Sequence, residues 1–90
     1  MKELLLITAP TCGPCKTMKP VMQRIAEERQ LPLRIVEATP DPANVQTIQK
    51  YGVRQVPTLL HLEEGEEAHR HLGAMTEAQI NETLAAWGFA

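Results

Sequence analysis

Aromatic residues are almost missing from this 90-residue chain, which holds one Trp, one Tyr and one Phe, 3% in all. A core must therefore be aliphatic, built from Leu, Ile, Val, Met and Ala, with Tyr51, Trp87 and Phe89 as its few large rings. A basic excess is missing too: 9 Lys and Arg stand against 11 Asp and Glu, a net charge of -2, and the basic residues are scattered. That removes the electrostatic footprint of a nucleic-acid or anionic-membrane binder and leaves proteins and small molecules as partners. No apolar run approaches the roughly 20 residues that span a bilayer, and Leu4–Thr8 is far too short for a secretory signal. The chain reads as cytoplasmic, with no membrane or nucleic-acid partner. It has no repeat, linker or low-complexity tract, and its length fits one domain, residues 1–90, burying roughly 60–65% of its unfolded surface. Cysteine is scarce as well. The two that exist, Cys12 and Cys15, stand at C-x-x-C spacing, which in a reducing compartment points to redox chemistry or metal binding more than to a structural staple.

These cysteines lie in Thr11-Cys12-Gly13-Pro14-Cys15-Lys16, directly after an apolar strand. A strand entering a helix puts Cys12 beside free backbone N–H groups and the positive end of the helix dipole, which favour an anion. The thiolate is the form that attacks disulfides, so Cys12 is the candidate nucleophile. Cys15, one turn on, is spaced to close a ring with it.

Leu4–Thr8 is a short continuous apolar run that suits a central strand buried on both faces. From Gly13 to about Arg29, Met18, Val21, Met22, Ile25 and Ala26 recur at helical spacing, with Pro20 inside the helix as a kinking residue. Leu33–Ala38 is strand-like, and strand, helix, strand at this length implies a right-handed parallel crossover. Asp41-Pro42 opens a second helix with a small apolar face at Val45 and Ile48, and Tyr51-Gly52 closes it. Pro57–Leu62 and Glu67–Leu72 flank Glu63-Glu64-Gly65-Glu66 as a hairpin, its second strand alternating strongly. Thr76-Glu77-Ala78-Gln79 is a capping box for a last helix faced by Ile80, Leu84 and Trp87. The order is β-α-β-α-β-β-α.

That order resembles the thioredoxin fold, and several motifs resemble the thioredoxin family at consistent spacing over nearly the whole chain. Cys12-Gly13-Pro14-Cys15-Lys16 is similar to its active site, and Pro20 falls at its helix-kinking proline. Tyr51-Gly52-Val53-Arg54 with Val56-Pro57-Thr58-Leu59 resembles the segment leading into its cis-proline. Gly65 and Gly73-Ala74 resemble its hairpin turn and the loop beside its substrate groove. The resemblance implies an α/β domain with a four-stranded mixed sheet and helices on both faces, lacking the N-terminal strand and helix of ordinary thioredoxins. It implies a protein disulfide reductase in which Cys12 attacks, Cys15 resolves and Pro57 is cis beside the dithiol. Thr11, Gly13, Pro14, Val56, Gly73 and Ala74 then form a small neutral collar for disulfide-containing proteins, with the Val56 backbone pairing to an extended substrate segment. Gly-Pro between the cysteines carries no charge to stabilise the thiolate further, which favours a reductant over an oxidant. No bound cofactor is expected. Electrons come from an NADPH-linked flavin reductase of the thioredoxin-reductase kind or from glutathione, and the protein is a monomer.

The chain also departs from the family pattern. Thr11 replaces the tryptophan usual before the first cysteine, and Thr8 stands where another family tryptophan packs beneath the site. Leu6 occupies the place of the buried aspartate that takes a proton from the resolving thiol. Glu37 stands where the family has a lysine across the strand pair. A carboxylate moved to the neighbouring strand preserves the base, so Glu37 is a candidate proton acceptor; the alternative puts its carboxylate in water at a strand end. Lys16 and Lys19 read as solvated residues early in the helix. Two other functions stay open: a glutaredoxin-like reductase using glutathione, although Gln55-Val56-Pro57 and Gly73-Ala74 replace the usual Thr-Val-Pro and Gly-Gly, and a non-catalytic interaction module. His61, His69 and His71 are better explained as alternating strand positions than as zinc ligands, because the spacing is wrong for a closed tetrahedral site. The sequence leaves open an iron–sulfur cluster shared between two chains.

Overall fold

The computed structural model describes residues 1–89. It contains β1 (Lys2–Thr8), α1 (Gly13–Glu28), β2 (Leu33–Glu37), α2 (Pro42–Lys50), β3 (Thr58–Glu63), β4 (Glu66–Leu72) and α3 (Glu77–Ala86). The sheet order is β2-β1-β3-β4; β1 runs parallel to β2 and antiparallel to β3, and β3 is antiparallel to β4. This is the expected β-α-β-α-β-β-α order in a mixed four-stranded sheet. β1 starts two residues before its apolar run because Lys2 and Glu3 pair with Glu63 and Leu62 of β3.

Local chemistry sets the element ends. Thr76 Oγ1 accepts from the Gln79 N–H at 3.2 Å while Gln79 Oε1 accepts from the Thr76 N–H at 2.9 Å, so the capping box satisfies two free donors of α3. After α2, the Val53 N–H reaches the Ile48 carbonyl and the Gly52 N–H the Gln49 carbonyl, both at 3.1 Å. This Schellman closure places Gly52 at φ +60°, a conformation that costs glycine little. The hairpin turn has Glu64 at φ 53° and Gly65 at φ 78°, positive at both central residues as the strand twist requires.

Two apolar layers cover the sheet. Leu4, Leu6 and Leu59 meet Met18, Met22 and Ile25 of α1 and Ile80 and Leu84 of α3, with Phe89; Leu5, Ile7, Val36, Leu60 and Leu62 form the opposite layer, against Ile48, Tyr51, Val53 and Val56. The alternation expected in β4 produces no buried face. As an edge strand paired on one side only, it is mostly exposed, and Leu72 is 52% accessible.

His61, on the α1 and α3 layer, is 2% exposed. Its ring meets Phe89 edge-on at 4.7 Å, and its Nδ1 lies 3.0 Å from Nδ1 of His69, its register partner, a hydrogen bond whose donor is set by the ring tautomers. Its Nε2 has no hydrogen-bond partner among the described residues, and Glu63 Oε1 stands 3.7 Å away. Burial holds the His61 pKa below the ordinary histidine value; His69 and Lys2 act in the same direction and Glu63 opposes them. The unfolded chain therefore takes up a proton near pH ~6.5 that the folded chain refuses. Stability should be full above that pH and fall as pH drops through it towards the lower folded pKa, by at most about 1.4 kcal/mol per pH unit for this group. Urea titrations between neutral and mildly acid pH should show a shallower loss in His61→Leu than in the parent. Equal slopes would assign the acid sensitivity elsewhere.

Candidate active site

The dithiol sits where β1 hands over to α1. After Thr8 the chain turns through Ala9-Pro10-Thr11, and the Cys12 N–H donates to the Ala9 carbonyl at 3.2 Å. Cys12 caps α1 in an extended conformation, and its Sγ accepts the Cys15 N–H at 3.1 Å. No acidic residue lies in the first turn, so nothing there offsets the positive end of the helix dipole at Cys12. Cys12 and Cys15 form a disulfide with their Cα atoms 5.3 Å apart. The two cysteines are unequal: Cys12 is half-buried, whereas Cys15 is 2% exposed.

Two further segments reach this end of the sheet. The Val56–Pro57 bond is cis, and Pro57 is buried immediately before β3, whose first residue Thr58 pairs with Ile7 of β1. The Gly73 N–H donates to the Pro57 carbonyl at 2.8 Å, and Thr58 Oγ1 donates to the Gln55 carbonyl at 2.7 Å. The proline and the Gly73-Ala74 loop are therefore tied together. Of the expected collar, Thr11, Gly13, Pro14 and Ala74 are exposed, while Val56 and Gly73 are half-buried. Pro14 and Ala74 border one groove of about 360 Å³ with Thr17, Met18 and Met75. Val56 opens instead into a separate hollow of about 230 Å³ towards Ile7, Ile48 and Val53.

A third cavity, about 100 Å³, lies under the dithiol and is lined by Thr8, Ala9, Pro10, Cys15, Lys16, Lys19 and Glu37. Glu37 is the last residue of β2 and the register partner of Thr8. Its side chain, 40% exposed, is neither free in water nor sunk in the core, for Lys19 Nζ donates to Glu37 Oε1 at 3.2 Å. The expectation that Lys19 is simply solvated is thus corrected. It follows Cys15 by four residues, so the helix turns both side chains to one side. Leu6 is fully buried in the core. Thr8 also lines this cavity and is buried, with an Oγ1 that has no hydrogen-bond partner among the described residues; a threonine closing an otherwise apolar strand is the signal for it in the sequence. Among the described residues no three or more of His, Cys, Asp and Glu converge as metal ligands, and no helix is long and apolar enough to cross a membrane.

The chain matches the family model described as Thioredoxin over residues 2–86. The chain belongs to the thioredoxin family. It is 39% identical over 76 residues to the thioredoxin of Bacillus subtilis, covering 84% of this chain and 72% of that protein. With the thioredoxin of Porphyra purpurea it shares 36% over 76 residues, 84% of this chain and 70% of that one. The thioredoxin structure of Fasciola hepatica superposes with a TM-score of 0.81 at 27% identity, over 94% of this chain and 79% of the other. That of thioredoxin 1 from Thermosipho africanus, 20% identical with a TM-score of 0.78 over 94% and 92%, shares the fold. Membership and the Cys12–Cys15 pair make this protein a thiol-disulfide oxidoreductase acting on protein disulfides. Thioredoxins need no bound cofactor, because the electrons reside in the two sulfurs: one dithiol is oxidised for each disulfide reduced.

Proposed function

We propose that this protein is a reductant of protein disulfides, a single thioredoxin-like domain working as a cytoplasmic monomer. Cys12 attacks the target disulfide and Cys15 resolves the mixed disulfide. The unequal exposure of the two cysteines supports this assignment, since a target sulfur must approach in line with the attacking thiolate and Cys12 is the more open residue. The capping position of Cys12 and the Cys15 N–H aimed at its sulfur stabilise the thiolate.

Pro57 supplies the cis-proline wall of the site. Val56, outside the strand ladder, offers its N–H and C=O to an extended target segment by β-augmentation, and Thr11, Gly13, Pro14, Gly73 and Ala74 form a neutral collar compatible with many sequences. Glu37 accepts the proton of Cys15 across the cavity they share. An NADPH-linked flavin reductase returns the electrons, with glutathione as the alternative donor.

The test is the reduction potential, read from alkylation of Cys12 and Cys15 after equilibration in glutathione and dithiothreitol buffers. Known proteins supply the scale: thioredoxin stands at about -270 mV and protein disulfide isomerase at about -180 mV. A value on the thioredoxin side is expected. One at or above the isomerase figure would make the protein an oxidant or isomerase, and preferred turnover of small glutathione mixed disulfides would favour the glutaredoxin-like reading.

A further inference from the structure

Most of the chain's few rings gather at one place that the dithiol chemistry does not use. His61 of β3 and His69 of β4 are register partners with their Nδ1 atoms 3.0 Å apart. Trp87 lies parallel to His69, with ring centres 5.5 Å apart and planes 8° apart, and Phe89 meets His61 edge-on. His61 is buried and His69 exposed. Between His61 and Leu62 the β3–β4 register shifts, leaving Ala68 without a register partner. A bulge of this kind interrupts the ladder and re-aims the neighbouring side chain, and here it falls on an edge strand paired along one side only. β4 runs on into Gly73, whose N–H binds the Pro57 carbonyl. The charged or titratable groups around His61 are Glu63 on its own strand, His69 on β4 and Lys2 on β1; His71 stands on the same side of β4 as His69. Trp87 and Phe89, the rings that follow α3, are uncharged, and Arg29 at the end of α1 binds the Phe89 carbonyl.

We propose that His61 and His69 form an acid-operated clasp on β4, which holds the edge strand closed until both rings are protonated and then lets it part from β3 at Ala68. The facing nitrogens share one hydrogen: one Nδ1 donates it and the other accepts. A first extra proton leaves this bond intact, because it binds the Nε2 of the ring whose Nδ1 is already the donor, and exposed His69 takes it at the lower desolvation cost. The second extra proton has only the accepting Nδ1 left. Two N–H groups on two cations would then face each other with no lone pair between them, and they separate. His69 is the ring that moves, since it is exposed on a strand with one neighbour. Burial, with His69 acting in the same direction, holds the His61 pKa low in the closed form, whereas an opened ring takes its proton near pH ~6.5. As pH falls below that value the open form gains on the closed one, by up to about tenfold per unit, until the lower closed-form pKa is reached. The parting uncovers Trp87 and loosens the tie between Gly73 and Pro57.

Amide hydrogen exchange and the emission of Trp87, the only tryptophan, read the opening on the oxidised protein. From about pH 7 to about pH 5, and after correction for the intrinsic pH dependence of exchange, the β4 and Gly73 amides should lose roughly tenfold or more of their protection while Leu4–Ile7 keep theirs. Trp87 emission should shift to the red over the same range. In His61→Leu the pair is gone, and both signals should lose their acid step. In His69→Gln the amide oxygen accepts from a protonated His61, so the clasp should stay shut further into acid and the step should fall by roughly one pH unit. His71→Gln, outside the pair, should leave the step in place. Loss of protection in β4 and in Leu4–Ile7 together overturns the clasp, for the histidines then act on global stability alone. A step that keeps the parent midpoint in His69→Gln also overturns it, by assigning the effect to the burial of His61 without its partner, and so does β4 protection that stays flat with pH in the parent.

Discussion

In a Cys15→Ser protein, targets are expected to stay joined to Cys12 as mixed disulfides, with turnover falling to background. Cys12 keeps its place at the start of α1 and the N–H of residue 15 as a donor to its sulfur, so the first exchange proceeds. The second requires a thiolate one turn away, and a serine hydroxyl is too weakly acidic to supply one at neutral pH. Non-reducing electrophoresis with an alkylation control should show the adduct, and dithiothreitol should release the target intact. Cys12→Ser should form no adduct, since Cys15 is 2% exposed. An adduct on Cys15 in that variant would reverse the two roles.

Placing a carboxylate at Leu6 is expected to bring the protein close to unfolding at neutral pH. Leu6 is fully buried, between Ile35 of β2 and Leu59 of β3, in the core layer beneath α1. Leu6→Asp removes the aliphatic packing and introduces a carboxyl group among apolar neighbours, for a combined loss of about 3–5 kcal/mol even when protonated. Burial would raise its pKa in the folded protein above the unfolded value of ~3.9. The unfolded state then releases its proton first, so the deficit is smallest below pH ~4 and deepens as pH rises towards the folded pKa, by up to about 1.4 kcal/mol per unit. Against a total stability of roughly 5–15 kcal/mol for a small domain, that is most of the margin. Urea midpoints for Leu6→Asp and the parent at acid, intermediate and neutral pH check this; a deficit that shrinks with rising pH would mean that the carboxylate finds polar partners in the core. In this chain the role proposed for Glu37 would then fall to a residue outside the apolar layer, at the end of β2.

Features legible in the sequence are those whose causes are local. Asp41 before Pro42, Thr76 three residues before Gln79, the glycines after α2 and in the hairpin, and the uninterrupted Leu4–Ile7 run each act within a few residues. The elements they predict are the ones found. The dithiol was legible for the same reason, since its chemistry is set by one turn of helix. Pairings between distant polar residues were not. Lys19 meets Glu37 across 18 positions and His61 meets His69 across a strand register, and nothing local distinguishes these from solvated residues. The fate of Thr8 was hidden likewise, because whether a strand-end hydroxyl has a partner depends on how α1 settles over the sheet.

β1 is hydrogen-bonded to a neighbour along both sides and covered on both faces, whereas β4 is paired on one side only. Amide hydrogens should accordingly trade with deuterium first along β4, and those of Leu4–Ile7 only when the whole molecule opens. Cys12 follows four residues after the end of β1. The reactive sulfur is thus anchored to the slowest-opening part of the chain, and an incoming target encounters a fixed reagent rather than a loop that must first be ordered.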